Sequence, residues 1–222
     1  METPKVKILV LFYSLTGTVA ELARYVAEGA ARVAGAEVVI KQVPETLGAQ
    51  FFAGKPTLKK IRAELDRNFE LATKEDLLTA DGIAFGTPTH FGSFAAQLKE
   101  FIDQLSSEWL QGKLVNKPAA VFCAAGSTHG GEELTLLSMM IPLLNLGMIP
   151  VGIPYPIQGE GAQFDAGSPY GAIYVTGGGR KLSEDDKKVA RILGLRLATM
   201  TQILNCGCNS CSLCHDLNKR IS

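Results

Sequence analysis

Residues 5–13, followed by Ser14-Leu15-Thr16-Gly17-Thr18-Val19, constrain the fold more than any other part of this 222-residue chain. Val6, Ile8, Leu9, Val10, Leu11 and Phe12 make a short, continuous, β-branched-rich run, the pattern of a strand buried on both faces. Val19, Leu22, Ala23, Val26, Ala27, Ala30 and Val33 then recur at helical spacing. A buried strand therefore ends in a polar loop that opens a helix. Hydroxyls, free backbone N–H groups and a helix N-terminus converge there, which makes a phosphate cradle. The loop carries hydroxyls and no Lys, so it suits a phosphate monoester better than a nucleoside triphosphate. The glycine-rich dinucleotide fingerprint and the Walker-type Lys are both missing.

The same strand-to-helix pattern repeats. Residues 37–43 read as a second strand, 81–87 as a third, 119–124 as a fourth and 148–153 as a fifth. The third ends in Thr87-Pro88-Thr89-His90-Phe91-Gly92 and the fourth in Ala125-Gly126-Ser127-Thr128-His129, each followed by a helical pattern. Residues 44–79 are mixed and polar, with a short surface helix expected over 59–67 and a cap at Thr73. Residues 154–180 are rich in Gly and Pro and lack a regular pattern, and Ser183 caps a last helix. Strands alternating with helices predict an α/β fold, a flavodoxin-like doubly wound parallel sheet of five strands with helices on both faces. The three glycine- and hydroxyl-rich turns then share one sheet edge, where ligands of open α/β sheets bind.

Lys+Arg and Asp+Glu are 22 each, a balance that calls for neither nucleic acid nor an anionic membrane as partner. The apolar stretch 134–153 is interrupted by Pro142, Asn145, Gly147 and Pro150, so it reads as a core helix and a strand and not as a membrane span. The polar N-terminus is not a signal peptide pattern, and a cytoplasmic location follows as the default. In that compartment cysteines are thiols or ligands more often than disulfides. Cys123, inside the fourth strand, reads as a small buried hydrophobe.

With these residues in view, the chain resembles the WrbA-type NAD(P)H:quinone oxidoreductases, flavodoxin-like FMN proteins. The likeness runs from about residue 5 to residue 204. Its carriers include Tyr13-Ser14-Leu15-Thr16-Gly17, Val43-Pro44-Glu45-Thr46, Phe85-Gly86-Thr87-Pro88-Thr89 with Phe91-Gly92, Trp109, His129-Gly130-Gly131 with Glu133, Gly147-Met148 and Ser168-Pro169-Tyr170-Gly171-Ala172. The resemblance implies that Ser14, Leu15, Thr16, Gly17, Thr18 and Val19 hold the FMN phosphate. It implies that Thr87, Pro88, Thr89, His90, Phe91 and Gly92 wrap the isoalloxazine, and that Ala125, Gly126, Ser127 and Thr128 line its other flank. Trp109 corresponds to an aromatic lid for a flat quinone, and its alternative is a small apolar contact between subunits. His129 either faces flavin or quinone or is a loop histidine satisfied by backbone. The family's usual Arg is His90 here, its His before the Gly-Met pair is Leu146, and the aromatic residue common in its phosphate loop is Thr16. The implied activity is two-electron quinone reduction by a ping-pong hydride mechanism, with FMN as cofactor, NAD(P)H as donor and no side chain needed as acid or base. The implied assembly is a homotetramer whose sites include neighbouring subunits.

Beyond the resemblance, in a tail expected to span 205–222, Cys206, Cys208, Cys211 and Cys214 fall within ten positions together with His215. Their spacing fits three ligands of a ferredoxin-type cluster, though without its proline, and fits zinc held by thiolates equally. Cys211-Ser212-Leu213-Cys214-His215 also matches the c-type haem attachment pattern, which needs export. Reduced thiols are the remaining reading. Two rivals to the enzyme stand: an FMN electron carrier coupled to the tail's metal or cluster, and a redox-sensing metal-binding interaction module without turnover.

Overall fold

The structure, a computed structural model, describes residues 5–158 and 167–210, with backbone alone for 206–210. In chain order the first half holds β1 (Val6–Phe12), α1 (Thr18–Ala30), β2 (Ala36–Gln42), α2 (Ala49–Phe52), α3 (Pro56–Asn68), β3 (Glu70–Leu71), α4 (Lys74–Thr79) and β4 (Gly82–His90). The second half holds β5 (Ser93–Phe94), α5 (Ala96–Asp103), α6 (Ser106–Leu110), β6 (Pro118–Ala125), α7 (Glu132–Asn145), β7 (Ile149–Pro150), β8 (Ala172–Val175) and α8 (Glu184–Ser210).

β1 sits at the centre, parallel to β2 on one side and β4 on the other, and β4 pairs in parallel with β6. Successive side chains of β1 enter opposite layers, as strand geometry requires. Val6, Ile8, Val10 and Phe12 pack under α1 and α8, while Leu9, Leu11 and Tyr13 pack with residues of α4, α5 and α7. Both faces are covered, which explains the unbroken apolar run. Two helices carry their own N-terminal caps. Thr73 and Asp76 form a reciprocal capping box on α4, and Ser183 and Asp186 form one on α8. Lys117 closes the other end of α4, its Nζ donating to the carbonyls of Leu77, Leu78 and Ala80.

Several expectations need correction. The expected fifth strand at 148–153 is broken. Only Ile149–Pro150 pairs, with the start of β6, and the pairing resumes with β8 against Phe122–Ala125 at its end. The Val151 N–H still donates to the Ala119 carbonyl, but the next donor in line, the Ile153 N–H, goes to the Pro169 carbonyl instead of to β6. Residues 154–180 are accordingly not devoid of pattern, because they contain β8. Finally, the third strand does not stop at 87. It continues to His90 and folds back as a hairpin with β5, pairing Thr89 with Phe94 and His90 with Ser93. α3 starts at Pro56, three residues before the expected helix, and α8 runs from Glu184 to Ser210.

Candidate FMN site

The loops after β1, β4 and β6 meet at the carboxyl edge of the sheet. Gly17 is the N-cap of α1 at φ 85°, and no side chain caps that helix. The first helical bond runs from the Glu21 N–H to the Gly17 carbonyl. The N–H groups of Gly17, Thr18, Val19 and Ala20 are therefore left without helical partners. Thr16 and Thr18 hydroxyls lie 3.2 Å apart beside them. α3 closes the outer flank, with Ile61 against Gly17.

The loop at 87–92 is the β4–β5 hairpin itself. Phe91 and Gly92 form its two-residue turn, both at positive φ (53° and 75°), as a type I′ turn demands. This conformation is costly for a bulky residue, and it holds the Phe91 ring fully exposed at the rim of the site. Thr87 Oγ1 accepts from the Ala95 N–H at 2.9 Å and donates to the Pro88 carbonyl, so it shapes the hairpin from within. Burial pulls the His90 imidazole below its ordinary value of 6.5, which leaves it neutral at pH 7. His90 thus offers the ring no cation.

The third loop leads to Gly131, the N-cap of α7 at φ 93°, again with no side-chain cap. A Cβ on Gly131 would stand 2.8 Å from the Cα of Gly92, so the hairpin tip and the α7 entry touch. Ser127, Thr128 and His129 line a cleft of about 1070 Å³ with Glu132, Val175 and Arg180. His129 has φ 64°, and its backbone N–H donates to Glu132 Oε1 at 3.1 Å.

Four buried side-chain polar atoms have no partner among the described residues, and three of them belong to these loops or their helix: Ser14 Oγ, Thr89 Oγ1 and Glu132 Oε2. Buried polar groups are ordinarily paired, so their concentration here is what a site built around a polar ligand leaves behind. Two uncapped helix N-termini and the hydroxyl pair fit a phosphate at α1. The cleft between residues 126–134 and the segment from Ile173 to Arg180, next to the hairpin tip, has room for a planar ring. The residues present fit FMN.

Trp109 is not part of this constellation within one chain. Its Nε1 donates to the Asn145 carbonyl at the far end of α7, in a groove of about 370 Å³ with Ile102, Leu105, Ile141, Pro142 and Leu146. α7 has 14 residues, so that groove lies roughly 20 Å from the Gly131 end. Leu146, at the family's usual histidine position, lies in the same groove. Cys123 is buried within β6 and free, and burial pushes its thiol up to about 12, as expected of a small apolar filler. No His/Cys/Asp/Glu cluster suited to a metal occurs among the described residues. Cys206 and Cys208 fall on the last turns of α8, where backbone alone is described, and Cys211, Cys214 and His215 lie outside the described residues.

A family model described as NADPH-dependent FMN reductase matches residues 6–163. A protein of Archaeoglobus fulgidus named NAD(P)H dehydrogenase (quinone) is 44% identical over 89% of this chain and 98% of its own length. One of the same name from Geotalea uraniireducens is 42% identical over 87% and 97%. Among solved structures, a flavodoxin, WrbA-like protein of Agrobacterium tumefaciens superposes with a TM-score of 0.60 at 22% identity, covering 90% of this chain and 99% of that one. The model match over residues 6–163 and these relatives show that the chain belongs to the NADPH-dependent FMN reductase family, alongside proteins named NAD(P)H dehydrogenase (quinone).

Proposed function

We propose that this protein is an FMN-dependent NAD(P)H:quinone oxidoreductase. The observation that carries the reading is the convergence of an uncapped, hydroxyl-bearing helix N-terminus and a cleft beside the β4–β5 hairpin on one sheet edge, in a chain 44% identical to a quinone dehydrogenase. Ser14, Thr16 and Thr18, with the free N–H groups of α1, would hold the phosphate. The hairpin backbone at 87–92 and residues 125–128 would hold the ring. Bound there, FMN supplies two-electron hydride chemistry. The chain's own part is to orient and to exclude water. We assign no side chain as acid or base; His90 is neutral, and the ionisable side chains that line the cleft are His129, Glu132, Glu133 and Arg180. Nicotinamide and quinone would each stack on the exposed side of the ring beside Phe91, so they would take turns there, in a ping-pong order in which nicotinamide leaves before quinone enters. A cytoplasmic setting suits the NAD(P)H supply and the free Cys123 thiol.

The reading extends to assembly. α7 exposes Leu134, Leu137, Ile141 and Leu144, spaced three and four residues apart on one face. One end of this seam adjoins the hairpin tip, where Leu134 packs near Gly92, and the other adjoins Trp109. A second copy, packed antiparallel along α7 about a two-fold axis, would carry its Trp109 to the Phe91 rim of this chain. That supports Trp109 as the quinone lid acting across subunits, within the homotetramer that the family resemblance implies. For the tail, we propose that Cys206, Cys208, Cys211 and Cys214 bind one metal centre, zinc or an iron–sulfur cluster, on the strength of four thiols so close in sequence.

The test is direct. Purified protein should carry FMN, release it on acid treatment, rebind it, and turn over benzoquinone with NADH or NADPH. FMN bound without turnover would favour the electron carrier. Absence of any flavin affinity would favour the interaction module.

A further inference from the structure

Glu45, in the segment leaving β2, is the knot of three chain segments. Its carboxylate accepts from Tyr13 Oη at 2.9 Å, from Gln97 Nε2 at 3.2 Å and from the Leu47 N–H at 2.9 Å. Tyr13 and Gln97 are buried, 1% and 5% exposed. Tyr13 is the residue before the phosphate loop, and its own N–H donates at 3.0 Å to Gly86, one residue before the ring hairpin. Gln97 lies in the first turn of α5, two residues after Ala95, whose N–H is held by Thr87. Leu47 begins the excursion that brings α3 over Gly17.

A glutamine here could keep the bonds from Gln97 and Leu47 on one oxygen but would turn its NH₂ toward Tyr13 Oη and lose the phenol's donated bond, whereas the carboxylate accepts on both oxygens. Bonds to such a group are also shorter and stronger than neutral ones. Burial and the neighbouring Glu45 carboxylate raise the Tyr13 pKa, so the phenol keeps its proton and remains a donor. We propose that Glu45 is a positioning residue: through Tyr13 it sets the phosphate loop, and through Gln97 it sets the ring hairpin, so that FMN meets both in register. The proposal rests on the FMN reading above and goes beyond it in assigning a residue outside the two loops.

The two arms can be cut separately. Tyr13→Phe removes only the phenol oxygen on the phosphate-loop arm, and Gln97→Leu removes only the amide on the hairpin arm. Each flavin-free variant is titrated with FMN and with riboflavin, following flavin fluorescence. Tyr13→Phe should weaken FMN roughly tenfold and leave riboflavin unchanged. Gln97→Leu should weaken both by a common factor. Glu45→Ala should combine the two effects, and Glu45→Gln, which keeps one acceptor oxygen, should fall between Glu45→Ala and the native protein. The FMN-to-riboflavin ratio is the deciding readout, since general loosening of the fold would not move it. If Tyr13→Phe, natively folded by circular dichroism, changes both flavins equally or neither, the positioning role is wrong. If the native protein itself fails to bind FMN, the fault lies in the site reading instead.

Discussion

The contact between the hairpin tip and the α7 entry can be probed with a pair of alanine substitutions. Gly131 and Gly17 are both helix N-caps at positive φ, 93° and 85°. Alanine at either position incurs left-handed strain of about 1–2 kcal/mol. At Gly17 the new methyl meets nothing nearer than Ile61 Cγ2 at 3.7 Å, an ordinary contact. At Gly131 it would stand 2.8 Å from the Gly92 Cα. Carbon atoms settle at about 3.5–4.0 Å, so hairpin and helix must part by roughly 1 Å. Overpacking of that kind adds about 1–3 kcal/mol, which puts Gly131→Ala at roughly 2–5 kcal/mol in all. Urea unfolding of the flavin-free proteins reads the difference. Flavin titration then localises it: Gly131→Ala widens the ring slot and should weaken FMN and riboflavin alike, whereas Gly17→Ala should weaken FMN alone. Equal stability of the two variants, or unchanged riboflavin binding in Gly131→Ala, would refute a slot walled by this contact.

Three further outcomes follow from the same geometry. The His90 imidazole should titrate below 6.5 by NMR. The unfolded chain then takes the proton first, so the His90 contribution to stability is complete above about pH 6.5 and declines as pH falls toward the folded pKa, with a size kept small by exposure; a midpoint at or above 6.5 would contradict the burial argument. Ile141→Asp, which puts a charge in the middle of the α7 seam, should lower the sedimenting mass and reduce quinone turnover together, and an unchanged assembly would remove that seam as the subunit contact. Replacing Cys206, Cys208, Cys211 and Cys214 by Ser should leave FMN binding intact while removing a metal measurable by elemental analysis; well below one atom per chain in the native protein, with all four thiols freely reactive, returns the tail to reduced thiols.

The elements that frame the candidate site were legible because their signal is local. A strand buried on both faces, a hydroxyl loop and an amphipathic helix stand side by side in residues 5–33, and β1 and α1 lie where that pattern puts them. The hairpin escaped notice because its turn is Phe91-Gly92, and a bulky aromatic at positive φ is the opposite of the usual Asn-Gly signal. β8 escaped because four residues, Ala172–Val175, carry too little periodicity to stand out from a Gly- and Pro-rich surround. Their pairing with β6 is a long-range fact. So is the Glu45 knot, whose partners Tyr13 and Gln97 lie 32 and 52 positions away. The place of Trp109, too, depends on the length and direction of α7, which fixes it at the opposite end of that helix from the ring slot.

Under the proposed function, one site beside the Phe91 hairpin and the Gly131 entry of α7 would serve both substrates in turn. Initial rates of the FMN-loaded protein, varied in NADH or NADPH at several fixed benzoquinone concentrations, test it most directly. Parallel double-reciprocal lines are expected, because the oxidised nicotinamide must leave before quinone can stack. Lines that intersect, which require both substrates bound together, would contradict the shared slot.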